Sequence, residues 1–167
     1  NTPILLTNTL SVGTAYNALV HYVRNTYLGN RIQWFNPVVG ETYDGELNDI
    51  LGLHIHTSHV LEALTSAKGG PVTEGNVGAG TGIRAMGFKA GIGSSSRQVT
   101  IGSTTFTVGI LVQSNFGGSL VINNVPIGRL LARQELQDGG SIMIILGTDA
   151  PLSHRQLRRV LKRAILG

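Results

Sequence analysis

An α+β domain is the fold class this sequence predicts, on three observations. Strand-like segments cluster in the middle and late chain while helical periodicity marks both flanks, an irregular alternation that suits layered α+β packing better than a strict βαβ series. The 167 residues are 41% hydrophobic and only 13% charged, enough apolar material for one sizeable core. No long linker, low-complexity tract or internal repeat divides the chain.

Taken in order, residues 4 to 7 read as a strand. A helix over 12 to 25 follows, with Ala15, Ala18, Leu19, Tyr22 and Val23 on one face. Residues 32 to 40 read as extended, 57 to 67 as helical, and 69 to 82 as a glycine-rich loop. Strand candidates then cover 83–90, 97–101, 104–113, 119–126 and 141–147, with Asn123-Asn124 as a hairpin turn inside the fourth. The last helix, 153 to 166, opens on the capping box Ser153-His154-Arg155-Gln156 and carries Leu157, Val160, Leu161, Ala164 and Ile165 on its apolar face.

Charge and composition narrow the function classes. Net charge is +4, but Arg155, Arg158, Arg159, Lys162 and Arg163 are five of thirteen basic residues, and without them eight basic residues face nine acidic ones. That segment reads either as an anion-binding patch or as a solvated or inter-subunit helix face. The absence of interleaved aromatic residues favours the second, so neither a nucleic acid nor a membrane is expected as a partner. Zero cysteines exclude a disulfide framework and any thiol nucleophile or thiolate metal site. No membrane span or signal peptide is read in this chain, and the expected compartment is the cytoplasm, with the periplasm as the alternative. The chain has no initiator methionine and opens almost directly into a strand, as a segment of a longer protein would.

Four motifs bear on chemistry. Gly78-Ala79-Gly80-Thr81-Gly82 departs from G-x-G-x-x-G spacing and follows no apolar strand, so it reads as a tight turn or close backbone approach near a pocket. His54, His56 and His59 have the residue type of metal ligands but no completing partner nearby, and no metal is expected. Ser94-Ser95-Ser96 reads as a polar turn. Gly140-Ser141 stands where an Asp138-Gly139-Gly140 turn meets the apolar run Ile142 to Leu146. A serine there can attack the preceding glycine carbonyl, and hydrolysis of the resulting ester frees an α-amine with a reference pKa of about 7.7–8.0 to serve as base. Taken singly, such triplets are ordinary turns in most chains.

Several blocks in order change that weighting. Leu6-Thr7-Asn8-Thr9, Gly40-Glu41-Thr42-Tyr43-Asp44-Gly45, Pro71 through Gly82, Gly87 through Gly93, Val112 through Gly117, Gly140-Ser141-Ile142 and Thr148 through Leu152 together resemble the L-aminopeptidase/D-esterase family, which includes DmpA and the β-peptidyl aminopeptidases. The resemblance implies a four-layer α/β/β/α sandwich of the DmpA type and scission between Gly140 and Ser141. Residues 1–140 would then belong to one subunit and 141–167 would begin a second that stays bound to it. Ser141 would be the N-terminal nucleophile, Asn115 the oxyanion donor and Tyr43 a phenol near the nucleophile. Trp34 is a candidate pocket wall, Glu41 and Asp44 are candidates for the substrate ammonium, and Lys89 is a candidate support. The implied activity is a serine aminopeptidase or amidase acting on peptides, amides or esters, with no cofactor and an oligomeric assembly. Further supporting residues of the family fall beyond Gly167. The alternatives are an acyltransferase or oligoamide hydrolase of the same architecture, or a non-catalytic assembly module using the basic helix.

Overall fold

The computed structural model describes residues 2–28, 34–131 and 136–166, with side chains described except at 136–138. The first strand, β1 (Ile4–Asn8), pairs in parallel with β2 (Val38–Thr42), Ile4 opposite Val38 and Asn8 opposite Thr42. Between them lies α1 (Val12–Val23), which continues as one π-helical turn over Arg24–Leu28. A parallel pair needs such a crossover. The helix α2 (Thr57–Ser66) packs on α1, and Ala15, Ala18 and Val60 form a buried cluster with Leu5, Val39, Ile55 and Leu64 against it. Alanine at 15 and 18 lets the two helices approach closely.

Alternation along β1 and β2 sends neighbouring residues to opposite faces. Leu5 and Val39 face the helices, whereas at Gly40 an added Cβ would stand 2.8 Å from Met143 Sδ and 2.9 Å from Leu6. That second face meets an antiparallel sheet in the order β5 (Ile92–Ile101), β6 (Thr104–Gly118), β7 (Leu136–Thr148). Gln113 of β6 is fully buried at the junction of the two sheets. Its Nε2 donates to Thr42 Oγ1 at 2.6 Å, Ala79 O at 3.1 Å and Thr7 O at 3.3 Å. Three layers are therefore in place: helices, the parallel pair and the antiparallel sheet.

The strands 92–101 and 104–118 are longer than their sequence signal, and several expectations are corrected. Ser94-Ser95-Ser96 is not a turn but part of β5, where the Ser94 N–H and hydroxyl both donate to Glu74 at 2.7 and 2.6 Å. Those bonds, the hydroxyl's first, hold the Glu74 carboxyl below its ordinary range. The stretch 83–90 is two short strands, β3 (Arg84–Ala85) and β4 (Phe88–Lys89), reversed at Met86-Gly87 with φ of 52° and 83°. In 119–126 only a single Ile122–Val125 bridge forms around Asn123 and Asn124, whose φ values of 49° and 65° make the expected turn. A short helix, α3 (Ile127–Leu130), follows it. Extended structure expected over 32–40 is a strand only at Val38–Thr42, and positions 32–33 lie outside the described residues.

The glycine motif does serve close approach: a Cβ at Gly80 would lie 2.7 Å from both Gly75 O and Ile92 N, where Gly75 and Ile92 form an isolated bridge. At the other end, α4 (His154–Ala164) has the capping box read from sequence, with the Ser153 hydroxyl accepting from Gln156 N–H and Gln156 Oε1 accepting from Ser153 N–H. No helix among the described residues is long and apolar enough to cross a membrane.

Candidate active site

The antiparallel ladder between β6 and β7 is regular from Val108–Thr148 to Phe116–Gly140, then slips between Phe116 and Gly118. Its last two regular pairs are Asn115–Ser141 and Phe116–Gly140. Residues directly opposite in such a ladder project from the same face with Cβ atoms about 4.5–5.5 Å apart. The register thus sets a side-chain amide beside a serine hydroxyl, at the position where regular pairing ends.

Glycine is required at 140 on two independent counts. Its φ is 125°, and an added Cβ would stand 2.4 Å from Asn115 O and 2.5 Å from Phe116 Cα. The expected Asp138-Gly139-Gly140 turn is corrected accordingly: β7 passes through Gly139 and Gly140, and both have positive φ. Gly140→Ala is expected to force β7 from β6 at this point, lowering stability by about 1–3 kcal/mol. A shift in the denaturation midpoint measures it.

The orientation of the Asn115 amide is fixed from the β3–β4 hairpin. Arg84 N–H donates to Asn115 Oδ1 at 3.2 Å, and Met86 N–H donates to Phe116 O at 2.9 Å, docking the hairpin along β6. An N–H can face only the oxygen of a side-chain amide, so the NH₂ group of Asn115 is left as a donor.

Around this pair lies a cavity of about 420 Å³ lined by Thr9, Glu41, Tyr43, Glu46, Arg84, Asn115 and Ser141 with the Gly139-Gly140 backbone. Glu41 Oε2 accepts from the Thr9 hydroxyl, and Glu46 Oε2 pairs with Arg84 Nη1. Tyr43 is half exposed. A Cβ at Gly45 would stand 2.5 Å from the Tyr43 hydroxyl, so the phenol lies over that turn.

Five residues singled out from sequence meet here: Gly140, Ser141, Asn115, Tyr43 and Glu41. Asp44 does not. It is 6% exposed, its Oδ2 accepts from Asn48 at 2.8 Å and Asn8 at 3.1 Å, and it lines a different cavity of about 470 Å³ between β1, α1 and α2. Trp34 is 77% exposed ahead of β2, and exposed Lys89 sits opposite Arg84 in the hairpin; neither lines the Ser141 cavity. Thr9, Glu46 and Arg84 were not singled out as site residues: Thr9 stands in the Leu6–Thr9 block with no chemical role read for it, Glu46 and Arg84 lie outside the quoted blocks, and all three reach the cavity through tertiary packing. The histidines are elsewhere: His54 pairs with Asp49 at 3.0 Å, and His56 stacks on His59 at the start of α2. Among the described residues no three ligand-type side chains gather as a metal set.

Comparison with known proteins shows what the chain as a whole is similar to. The chain is 41% identical over 184 residues to the β-peptidyl aminopeptidase BapA of Sphingosinicella microcystinivorans, covering 99% of this chain and 46% of that protein. The PH0078 protein of Pyrococcus horikoshii OT3 superposes with a TM-score of 0.85 at 48% identity, covering 98% of this chain and 46% of that one. The L-aminopeptidase D-Ala-esterase/amidase of Ochrobactrum anthropi, a serine aminopeptidase with a variant Ntn hydrolase fold, superposes with a TM-score of 0.84 at 42% identity, over 95% of this chain and 46% of that one. The chain thus spans just under half the length of these relatives and shares their mixed α/β fold. The model of peptidase family S58 matches residues 1–167, and the chain belongs to that family.

Proposed function

We propose that this chain carries the nucleophile half of a self-processing serine aminopeptidase. The observation that supports it most is the cross-strand pair: Asn115 directly opposite Ser141, with the amide turned by Arg84 N–H so that its NH₂ can donate.

Processing would begin with Ser141 Oγ adding to the Gly140 carbonyl carbon. The C–N bond then breaks, leaving an ester to the serine oxygen and a free Ser141 amine. Water cleaves the ester, giving a Gly140 carboxylate and Ser141 as a new N-terminus. Residues 1–140 and the part beginning at Ser141 remain joined through the β6–β7 ladder. In the mature enzyme the Ser141 α-amine accepts the proton as Oγ attacks the substrate carbonyl, and water later releases the acyl group. An α-amine of reference pKa about 7.7–8.0 is partly unprotonated near neutral pH, so one residue supplies both nucleophile and base. Asn115 Nδ2 stabilises the oxyanion in both reactions, and the Tyr43 phenol hydrogen-bonds the hydroxyl or the bound substrate. In the complete protein α4 would supply the fourth layer of an α/β/β/α sandwich.

An aminopeptidase must also hold a free ammonium. Glu41 is the acid this reading assigns to it: one carboxylate oxygen is engaged by Thr9, which orients the group and leaves the other oxygen for the substrate. The full-length protein is expected to hydrolyse an aminoacyl p-nitroanilide with a free amine and to reject the N-acetylated compound. Equal rates on both, followed by p-nitroaniline release, would exclude the aminopeptidase assignment.

A further inference from the structure

Among the described residues, the Ser141 cavity is lined by one cation, Arg84, alongside two carboxylates, Glu41 and Glu46. Its backbone is tied to the centre of the site through Asn115 Oδ1, so the side chain springs from a point locked to the oxyanion donor. The hairpin fixes that point further, because Met86 N–H bonds Phe116 O one residue along β6 from Asn115. The Arg84 side chain is 31% exposed, which is low for a guanidinium. Among the described residues its one side-chain partner is Glu46, reached through Nη1 alone.

A guanidinium has five N–H donors in a planar fork. One is used, and the remaining edge matches the two oxygens of a second carboxylate. Glu46 is itself 48% exposed in the turn after Asp44, so the existing pair contributes little on its own. It does hold the guanidinium against the cavity wall, which lowers the entropy lost when a second anion binds.

Resting on the aminopeptidase reading, we propose that Arg84 is a specificity-determining residue that binds a carboxylate of the substrate. The carboxylate comes from one of two sources. It is either the side chain of an acidic N-terminal residue, or the terminal carboxylate of a dipeptide whose second residue is the leaving group. Glu41 and Arg84 would then grip opposite charges of one short zwitterionic substrate, with the scissile carbonyl at Ser141 and Asn115. Glu46 is the positioning residue of this pair and competes for the same guanidinium.

The test uses the full-length protein and ratios of kcat/KM, acid over neutral, within matched substrates. Alanyl-alanine against its C-terminal amide reads the terminal carboxylate; aspartyl against asparaginyl p-nitroanilide reads the side chain. Wild type is expected to prefer the acid in one pair, and that pair identifies the source. Arg84→Gln should lower that ratio at least tenfold, Arg84→Lys should restore part of it, and Glu46→Gln should raise it above wild type. A protein that cleaves the neutral substrates, but whose ratios stay within twofold in Arg84→Gln and Glu46→Gln alike, overturns the role of Arg84 while leaving the aminopeptidase reading intact. If wild type hydrolyses none of the four, both fall together.

Discussion

Ser141→Ala is expected to leave one uncleaved polypeptide with no measurable amide hydrolysis, because in the proposed mechanism a single atom serves twice. Removing Oγ removes the attacking group for the Gly140 carbonyl. Without scission residue 141 also keeps its nitrogen in a peptide bond, and an amide nitrogen cannot act as a base. The fold itself should survive. Ser141 lies partly exposed at the end of the regular ladder, its neighbours Ile142 to Ile145 remain paired with β6, and alanine fits the same backbone. An unchanged denaturation midpoint beside complete loss of scission and turnover would separate chemistry from stability.

Asn115 carries the second large effect. A preorganised donor aimed at a developing oxyanion contributes about 2.7–4 kcal/mol, so its loss slows kcat by about 10²–10³. Alanine removes both the donor and the acceptor that takes Arg84 N–H, and would loosen the β3–β4 hairpin as well. Asn115→Asp is the sharper variant. A carboxylate keeps an oxygen for Arg84 N–H but brings no donor, and it places negative charge where the oxyanion forms. The expected result is a loss in kcat at least as large as for Asn115→Ala, with stability closer to wild type. If Asn115→Asp retained more than a tenth of wild-type kcat, the oxyanion role would be untenable. Scission should slow in parallel, since on the proposed mechanism the tetrahedral intermediate at Gly140 would use the same donor.

The parts of this molecule legible in its sequence are the local ones. The Ser153–Gln156 capping box and the Asn123-Asn124 turn depend on residues within one helical turn or one reversal, the apolar face of α1 on spacing along a single helix, and each occurs as read. The site was harder because it rests on strand register. Strand signals stopped at 113 on β6 and began at 141 on β7, so the two segments ended just short of the pair that joins Asn115 to Ser141. The cause is composition: Ser114, Asn115, Gly117 and Gly118 on one strand, and Gly139 and Gly140 on the other, have poor intrinsic strand preference and are held extended by the ladder itself. Arg84 was hidden in a similar way, because Met86-Gly87 lacks the usual turn pair and its hairpin read as one strand. Asp44 failed as a ligand for a tertiary reason. Its neighbours Glu41 and Tyr43 reach the Ser141 cavity, while Asn8 and Asn48 hold its carboxylate in the other one.

The central claim, that Ser141 becomes an N-terminus by attacking Gly140, is tested most directly by intact-mass analysis of the purified full-length protein. Two masses are predicted for the wild type, one of them ending at Gly140 and the other beginning at Ser141, and a single mass is predicted for Ser141→Ala. A wild-type protein that hydrolyses aminoacyl amides while remaining one unbroken chain would contradict the account.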